Sequence, residues 1–571
     1  MYKHIVKILE NANSELMRLS LLGMIAGILS ALVVVAFRYL IESTQASFLP
    51  GADPENYEAL PTYAFFLLPF LGGILLGLIF HFVPADKRQV GVVHAMDYVK
   101  NNAARLPVFN LVLQFISAAI SIIAGHSVGR EGPSVHLGAS SGSLIARLFN
   151  QDNVVARILL ACGVSAAIAA SFNTPIAGVI FALEVIMLEY TVMSIMPIII
   201  SAIIATMISH AVFGNESAFQ APALEIISHA EYIGITLNGI FIGLIAALFI
   251  HLLVYTTTVS KPYPIFWRLT LAGTITGLLA VLAPEIMSLG YDTINATFQS
   301  EFVFSALILI LIFKLFATSV GLGLGLPAGL IGPTLVIGAL AGSVVGSVIQ
   351  AIYPDAVSSV GLYAMIGMGA MMGATLQAPL AALTAIFELT LNPGLILPGL
   401  IAIVVASLTS SELFKKPSIF LALIAARESE AANQVETEFD KQTPVKNVLS
   451  HDFVIFDELS TWQKITAQLE QNINWVLVNR EEKTRAMITR RALEQFDFEQ
   501  SELVNLMTLD LPYYRIAELN ASATIDDALT LFNQSDLNAV YITQNEVEDA
   551  GEVLGILCRE DVSNYINHKL T

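Results

Sequence analysis

Charge is what this chain has least of. Only 13% of its residues are Asp, Glu, Lys or Arg, against 55% hydrophobic, and mean hydropathy is +0.70. Apolar runs long enough to approach a bilayer thickness recur along it, so the pattern excludes a wholly soluble protein and specifies a polytopic membrane protein. Positive charge is the scarcer kind, with 28 basic residues against 47 acidic, and the basic footprint that nucleic-acid binding needs is missing. Cysteine is nearly absent. Cys162 lies in apolar sequence and Cys558 in the polar tail, so no structural disulfide is expected between them. Metal-ligand clusters, a nucleotide P-loop and nucleophile–base pairs are lacking from the apolar part, which leaves an enzyme reading without residues. The N-terminus also lacks the apolar core of a cleavable signal. Lys3, Lys7, Glu10, Glu15 and Arg18 make a polar amphipathic stretch ahead of the first apolar segment.

What charge there is collects at one end. Residues 431–571 hold 24 acidic and 11 basic residues, against 23 and 17 in the first 430, which marks a soluble C-terminal region behind a membrane region. Lys3, Lys7 and Arg18 before the first span, with Lys415, Lys416 and Arg427 after the last, predict that both termini are cytoplasmic. Between them, apolar segments run from about 19–41 through 62–83, 108–124, 154–170, 175–188 and 192–213 to 231–257, 265–284 and 302–319. Others follow at about 329–351, 360–374, 379–391 and 395–410. Several are too short to cross a bilayer upright, which predicts tilted or re-entrant helices.

Two motifs occur twice. Gly129-Arg130-Glu131-Gly132-Pro133-Ser134 returns 200 residues later as Gly329-Leu330-Ile331-Gly332-Pro333-Thr334. Asn173-Thr174-Pro175-Ile176-Ala177, leading to Glu184, returns as Gln377-Ala378-Pro379-Leu380-Ala381, leading to Glu388. Paired motifs in the same order indicate a duplicated unit, and Gly/Pro-broken apolar segments in corresponding positions point to a transport site where broken helices meet. Non-helical backbone at membrane depth survives only against protein or a water-filled cavity. A helix start there offers free N–H groups and the positive end of the helix dipole, which suits a desolvated anion and repels cations. Glu131 is the anomaly within this setting. Its carboxylate can occupy an anion site as a tethered competitor and leave when protonated, giving a pH-linked gate; the structural alternatives are pairing with Arg130 or helix capping. His126 and His136 flank it and read as core residues.

On these motifs the chain, over roughly residues 18–425, resembles the CLC family of chloride channels and chloride/proton antiporters. Phe172 through Gly178, with Phe181 and Glu184, matches a second family motif, and Gly329 through Pro333 a variant of a third. The resemblance implies an all-α polytopic membrane fold of two inverted halves, about 19–213 and 231–425, with re-entrant broken helices, acting as a homodimer with one pore per subunit in a bacterial inner membrane. It implies Glu131 as gate, and an anion site built by Gly129, Arg130 and the amides of Leu330 and Ile331. Two hydroxyl ligands usual in the family are replaced, at Val90 and Phe420, each ordinarily worth about 0.5–1.5 kcal/mol net. Backbone amides are then left to coordinate most of the anion, and choice among anions is left open. On the proton path, Val185 stands where antiporters carry a second glutamate, next to Glu184. Valine cannot relay protons, so passive pH-sensitive chloride conductance is favoured over chloride/proton antiport, with Glu184 and Glu189 as a substitute path if exchange occurs. A secondary transporter of an organic solute is the weaker alternative.

In the tail, β-type and helical segments alternate through 443–495 and 507–567, and the two halves end alike. They resemble a pair of small cytoplasmic α/β CBS modules. That resemblance implies either a structural clasp or an adenine-nucleotide sensor, with Thr489, Cys558 and Asp561 at the positions that would contact the ribose.

Overall fold

The computed structural model describes residues 15–101, 104–215, 219, 231–354 and 358–426, and in the tail 444–447, 449–469, 473–480, 483–494, 503–509, 511, 513–535, 537–543 and 553–558. They fall into two units, Met1–Arg427 and Glu428–Thr571.

The first unit is helical and built twice. Its first series is α1 (Glu15–Phe48), α2 (Thr62–Phe82), α3 (Val92–Asn101), α4 (Val108–Ile123), α5 (Glu131–Leu148), α6 (Asn153–Phe172), α7 (Pro175–Phe181) and α8 (Val192–Phe213). The second is α9 (Glu231–Ser260), α10 (Ile265–Ala280), α11 (Tyr291–Phe298), α12 (Phe304–Leu324), α13 (Ile331–Ile352), α14 (Val360–Leu376), α15 (Pro379–Thr390) and α16 (Ile396–Leu408). Each member of one series has its mate in the other, α5 with α13 and α7 with α15. Among the described residues, eight helices are long and apolar enough to cross a membrane.

Local sequence sets the breaks. Asn173 ends α6 in the left-handed region and Gln377 ends α14 in the same way; Pro175 and Pro379 then open α7 and α15, where a missing N–H is harmless. Helix α5 is the longest segment that hydropathy does not announce, because it is made of Gly, Ser, His and Glu as well as apolar residues. It needs no lipid-facing surface: all but a few of its side chains are buried by protein. It packs along α6, as α13 packs along α14, at distances only small residues permit. A Cβ on Gly142 would lie 2.0 Å from the Leu159 carbonyl oxygen, and one on Gly342 2.0 Å from that of Tyr363. Gly142→Val is therefore expected to destabilise the membrane unit by about 3 kcal/mol, the upper end of ordinary overpacking, because the obstacle is backbone. The yield of monodisperse protein in detergent and its thermal midpoint check this.

The second unit carries strands β1 (Phe453–Asp457), β2 (Leu459–Thr461), β3 (Trp475–Arg480), β4 (Lys483–Thr489), β5 (Leu503–Asn505), β6 (Ile516–Asn520), β7 (Ala539–Thr543) and β8 (Val553–Cys558). β3 runs parallel to β1 and antiparallel to β4; β7 repeats this arrangement with β6 and β8. Each half adds a helix, Trp462–Leu469 or Ile525–Ser535. Leu477 and Met487 of the first sheet pack with Ala539, Tyr541, Ile556 and Cys558 of the second in one buried cluster. Thr489 ends β4 and Cys558 ends β8, while Asp561 lies outside the described residues.

Candidate functional site

The two Gly-Pro repeats meet. Gly129 N–H donates to the Gly329 carbonyl at 2.7 Å and Gly329 N–H returns the bond at 2.8 Å, a two-residue ladder joining the segments that lead into α5 and α13. The family resemblance implies Gly129 at the anion. Its N–H is instead engaged by Gly329, so its backbone ties the halves together.

Glu131, the first residue of α5, is buried with 1% exposure. Its Oε2 accepts the Gly332 N–H of α13 at 2.9 Å, and its Oε1 accepts the Tyr291 hydroxyl of α11 at 2.7 Å. The carboxylate of one half thus lies on the helix start of the other, where amide donors and the dipole favour negative charge. Leu330 and Ile331, both buried, carry the two amides preceding Gly332 on the same helix start. Chemically, the seated carboxylate supplies the charge an anion would bring, and seating it and seating an anion are mutually exclusive.

Arg130 turns away from its neighbour. One terminal nitrogen of its guanidinium donates to Glu42 at 3.0 Å and the other to the Ser171 carbonyl at 3.1 Å, and it lies 5.5 Å from the Phe172 ring centre and 5.2 Å from that of Tyr291. Glu42 also holds Arg38 at 2.6 Å. The ion pair considered for Arg130 and Glu131 is therefore made with Glu42, and the guanidinium anchors the α5 start to α1. Val90 sits half-buried just before Gly91 and α3, and Phe420 is buried in the helical residues 419–426.

The second motif pair forms a reciprocal clasp. Glu184 accepts the Leu380 and Ala381 amides at 3.3 and 2.7 Å, opening α15; Glu388 accepts the Ile176 and Ala177 amides at 2.9 and 2.8 Å, opening α7. Val185 is buried beside Glu184. His136 Nε2 lies 2.8 Å from His94 Nδ1, and among the described residues neither ring nitrogen of His126 has a hydrogen-bond partner.

Several residues around the site escaped the sequence reading. Tyr291 and Glu42 lie 160 and 89 positions from Glu131 and carry no motif; a polar residue opening a short helix after Gly290 was the only available signal. Glu55 and Glu58, on the loop between α1 and α2, approach Asp292 of α11, and Glu55 accepts the Asp292 N–H at 3.0 Å. Burial, then the nearby Asp292 charge, raises the Glu55 carboxyl to about 8 and Glu58 in the same direction. Raised carboxyls bind protons in the folded state that the unfolded chain has already lost. The stability they contribute is whole below the ordinary range near 4.5 and is lost as pH rises toward about 8. Thermal midpoints are expected to fall between pH 5 and 8, and Glu55→Gln to flatten that slope, as differential scanning fluorimetry would show.

The family model described as voltage gated chloride channel matches residues 72–411, and that described as CBS domain matches 510–568. A ClcB-like protein of Ralstonia nicotianae is 31% identical over 401 residues, covering 69% of this chain and 93% of that one. The voltage-gated ClC-type chloride channel ClcB of Salmonella typhimurium is 29% identical over 407 residues, covering 69% and 96%. Among solved structures, a slow cyanobacterial Cl−/H+ antiporter aligns with a TM-score of 0.62 at 24% identity, over 72% of this chain and 97% of that one. A eukaryotic CLC transporter aligns at 0.60 and 19% identity over 96% and 98%.

Proposed function

Because the chain belongs to the voltage gated chloride channel family and carries a C-terminal CBS domain, we propose that it conducts chloride passively through the membrane under the control of Glu131. The observation that carries this reading is the Glu131 carboxylate held on the start of α13 by the Gly332 amide and the Tyr291 hydroxyl. An anion and the carboxylate compete for one place, so protonation of Glu131 or a high chloride concentration frees the path. Passive conductance is preferred to proton exchange because Val185 offers no proton carrier and Glu184 is held by two backbone amides. The relatives matched are channels and transporters, and the reading is correspondingly non-enzymatic.

Chloride flux from reconstituted vesicles under a pH gradient tests this. Passive conductance predicts a reversal potential set by the chloride gradient alone. A reversal that moves with the pH gradient establishes exchange, and no chloride flux would revive the organic-solute reading. The same proposal includes a homodimer in a bacterial inner membrane with both termini cytoplasmic. For the tail, the two readings are a structural clasp and an adenine-nucleotide sensor near Thr489 and Cys558, and calorimetric titration of the full chain with ATP and AMP decides between them.

A further inference from the structure

We propose that Tyr291 is the latch of the gate: its hydroxyl holds the Glu131 carboxylate in the anion's place, and loss of that bond is the step that lets the carboxylate leave. The inference rests on the gate reading above and adds a positioning residue to it. Of the two donors on the carboxylate, the Gly332 amide is fixed in a helix start and serves any anion that replaces Glu131. Tyr291 bonds to the other oxygen, and it is a side chain on an eight-residue helix.

That helix is held from several sides, so the hydroxyl is presented at a set position. Gly290 turns into α11 with φ of 76°, and the Asp292 N–H is tied to Glu55 at 3.0 Å. The preceding residues are fixed by Lys314 of α12, fully buried, whose Nζ donates to the carbonyls of Ile286 and Ser288 at 2.9 and 3.1 Å. The Tyr291 ring stands edge-on to Phe219 with centroids 5.3 Å apart and lies 6.2 Å from Phe172, so the ring is held by packing whether or not the carboxylate is seated. Charged groups lie around the pair: Arg130 just before α5, Arg38 on α1, Glu55 on the 53–61 loop and Lys314 on α12, with Glu42, Glu58 and Asp292 next to these. Only Tyr291 among these side chains donates directly to Glu131.

A donor favours the carboxylate over the neutral acid, so removing it eases both protonation and departure. The experiment is chloride efflux from vesicles holding the full chain, measured between pH 4 and 9. Tyr291→Phe, which keeps the ring, should raise flux at pH 7 about tenfold and move the midpoint of the pH profile up by about one unit. Site-specific 3-fluorotyrosine, a stronger donor of nearly the same size, should lower the flux and move the midpoint down. This substitution also tests the latch should Tyr291→Phe fail to assemble. In a Glu131→Gln background, Tyr291→Phe should add nothing. Superimposable profiles for wild type and both Tyr291 variants would overturn the latch while leaving the gate intact. An equal gain from Tyr291→Phe with Glu131→Gln present would also overturn it, since the residue would then obstruct the pore instead of latching the carboxylate. If Glu131→Gln itself keeps the wild-type pH profile, the gate reading falls and the latch with it.

Discussion

Glu131→Gln protein in vesicles should pass chloride about thirtyfold faster than wild type at pH 7, with a profile that is flat from pH 4 to 9. The size follows from two bonds. Each donor on Glu131, the Gly332 amide and the Tyr291 hydroxyl, bonds a carboxylate more strongly than a neutral amide by about 1 kcal/mol, and tenfold in population corresponds to about 1.4 kcal/mol. Glutamine keeps the length of the side chain and loses its charge. It therefore competes with chloride for the α13 start only as a weak dipole. The flat profile is the sharper result, because a change in pore width alone would raise flux and leave the pH dependence in place. Chloride-selective electrode recordings at each pH supply both readings. An unchanged profile would remove Glu131 from the gate.

The duplication was legible because each break needs a particular backbone. Glycine before a helix start, proline at its first turn and a left-handed residue between α6 and α7 leave marks that survive in both copies. The aliphatic helices were legible from hydropathy for the ordinary reason that lipid-facing sides must be apolar. Helix α5 was not: wrapped in protein, it could be rich in serine, glycine and histidine, and hydropathy passes over such a segment. The partners of the central residues were hidden for a different reason. Tyr291, Glu42 and Gly332 reach Glu131 or Arg130 through tertiary packing of separate elements, and no local pattern encodes that meeting. The family resemblance, not a local pattern, implies Gly129 and Arg130 at the anion. Adjacency along a turn just before a helix instead sends successive groups in different directions, and these two face Gly329 and Glu42.

Glu184 and Glu388 allow the proton question to be separated from the structural one. Each carboxylate closes two free amides at a helix start of the opposite half, and each is half-buried, so water can replace part of what is lost. Glu184→Ala and Glu388→Ala are each expected to destabilise the membrane unit by about 1–2 kcal/mol, below the full value for charge-assisted bonds because of that exposure. The pair should cost roughly the sum, less whatever coupling the shared contact between α7 and α15 introduces. Glu184→Gln retains an acceptor oxygen and should lose about half as much as alanine. A proton carrier would behave otherwise: glutamine cannot relay protons, so the response of chloride flux to a pH gradient would vanish with Glu184→Gln while the thermal midpoint moved little. A clasp predicts the reverse, a lower midpoint with an unaltered reversal potential. With Val185 beside it unable to carry a proton, a shift in reversal potential for Glu184→Gln would make Glu184 itself the inner relay and the protein an exchanger.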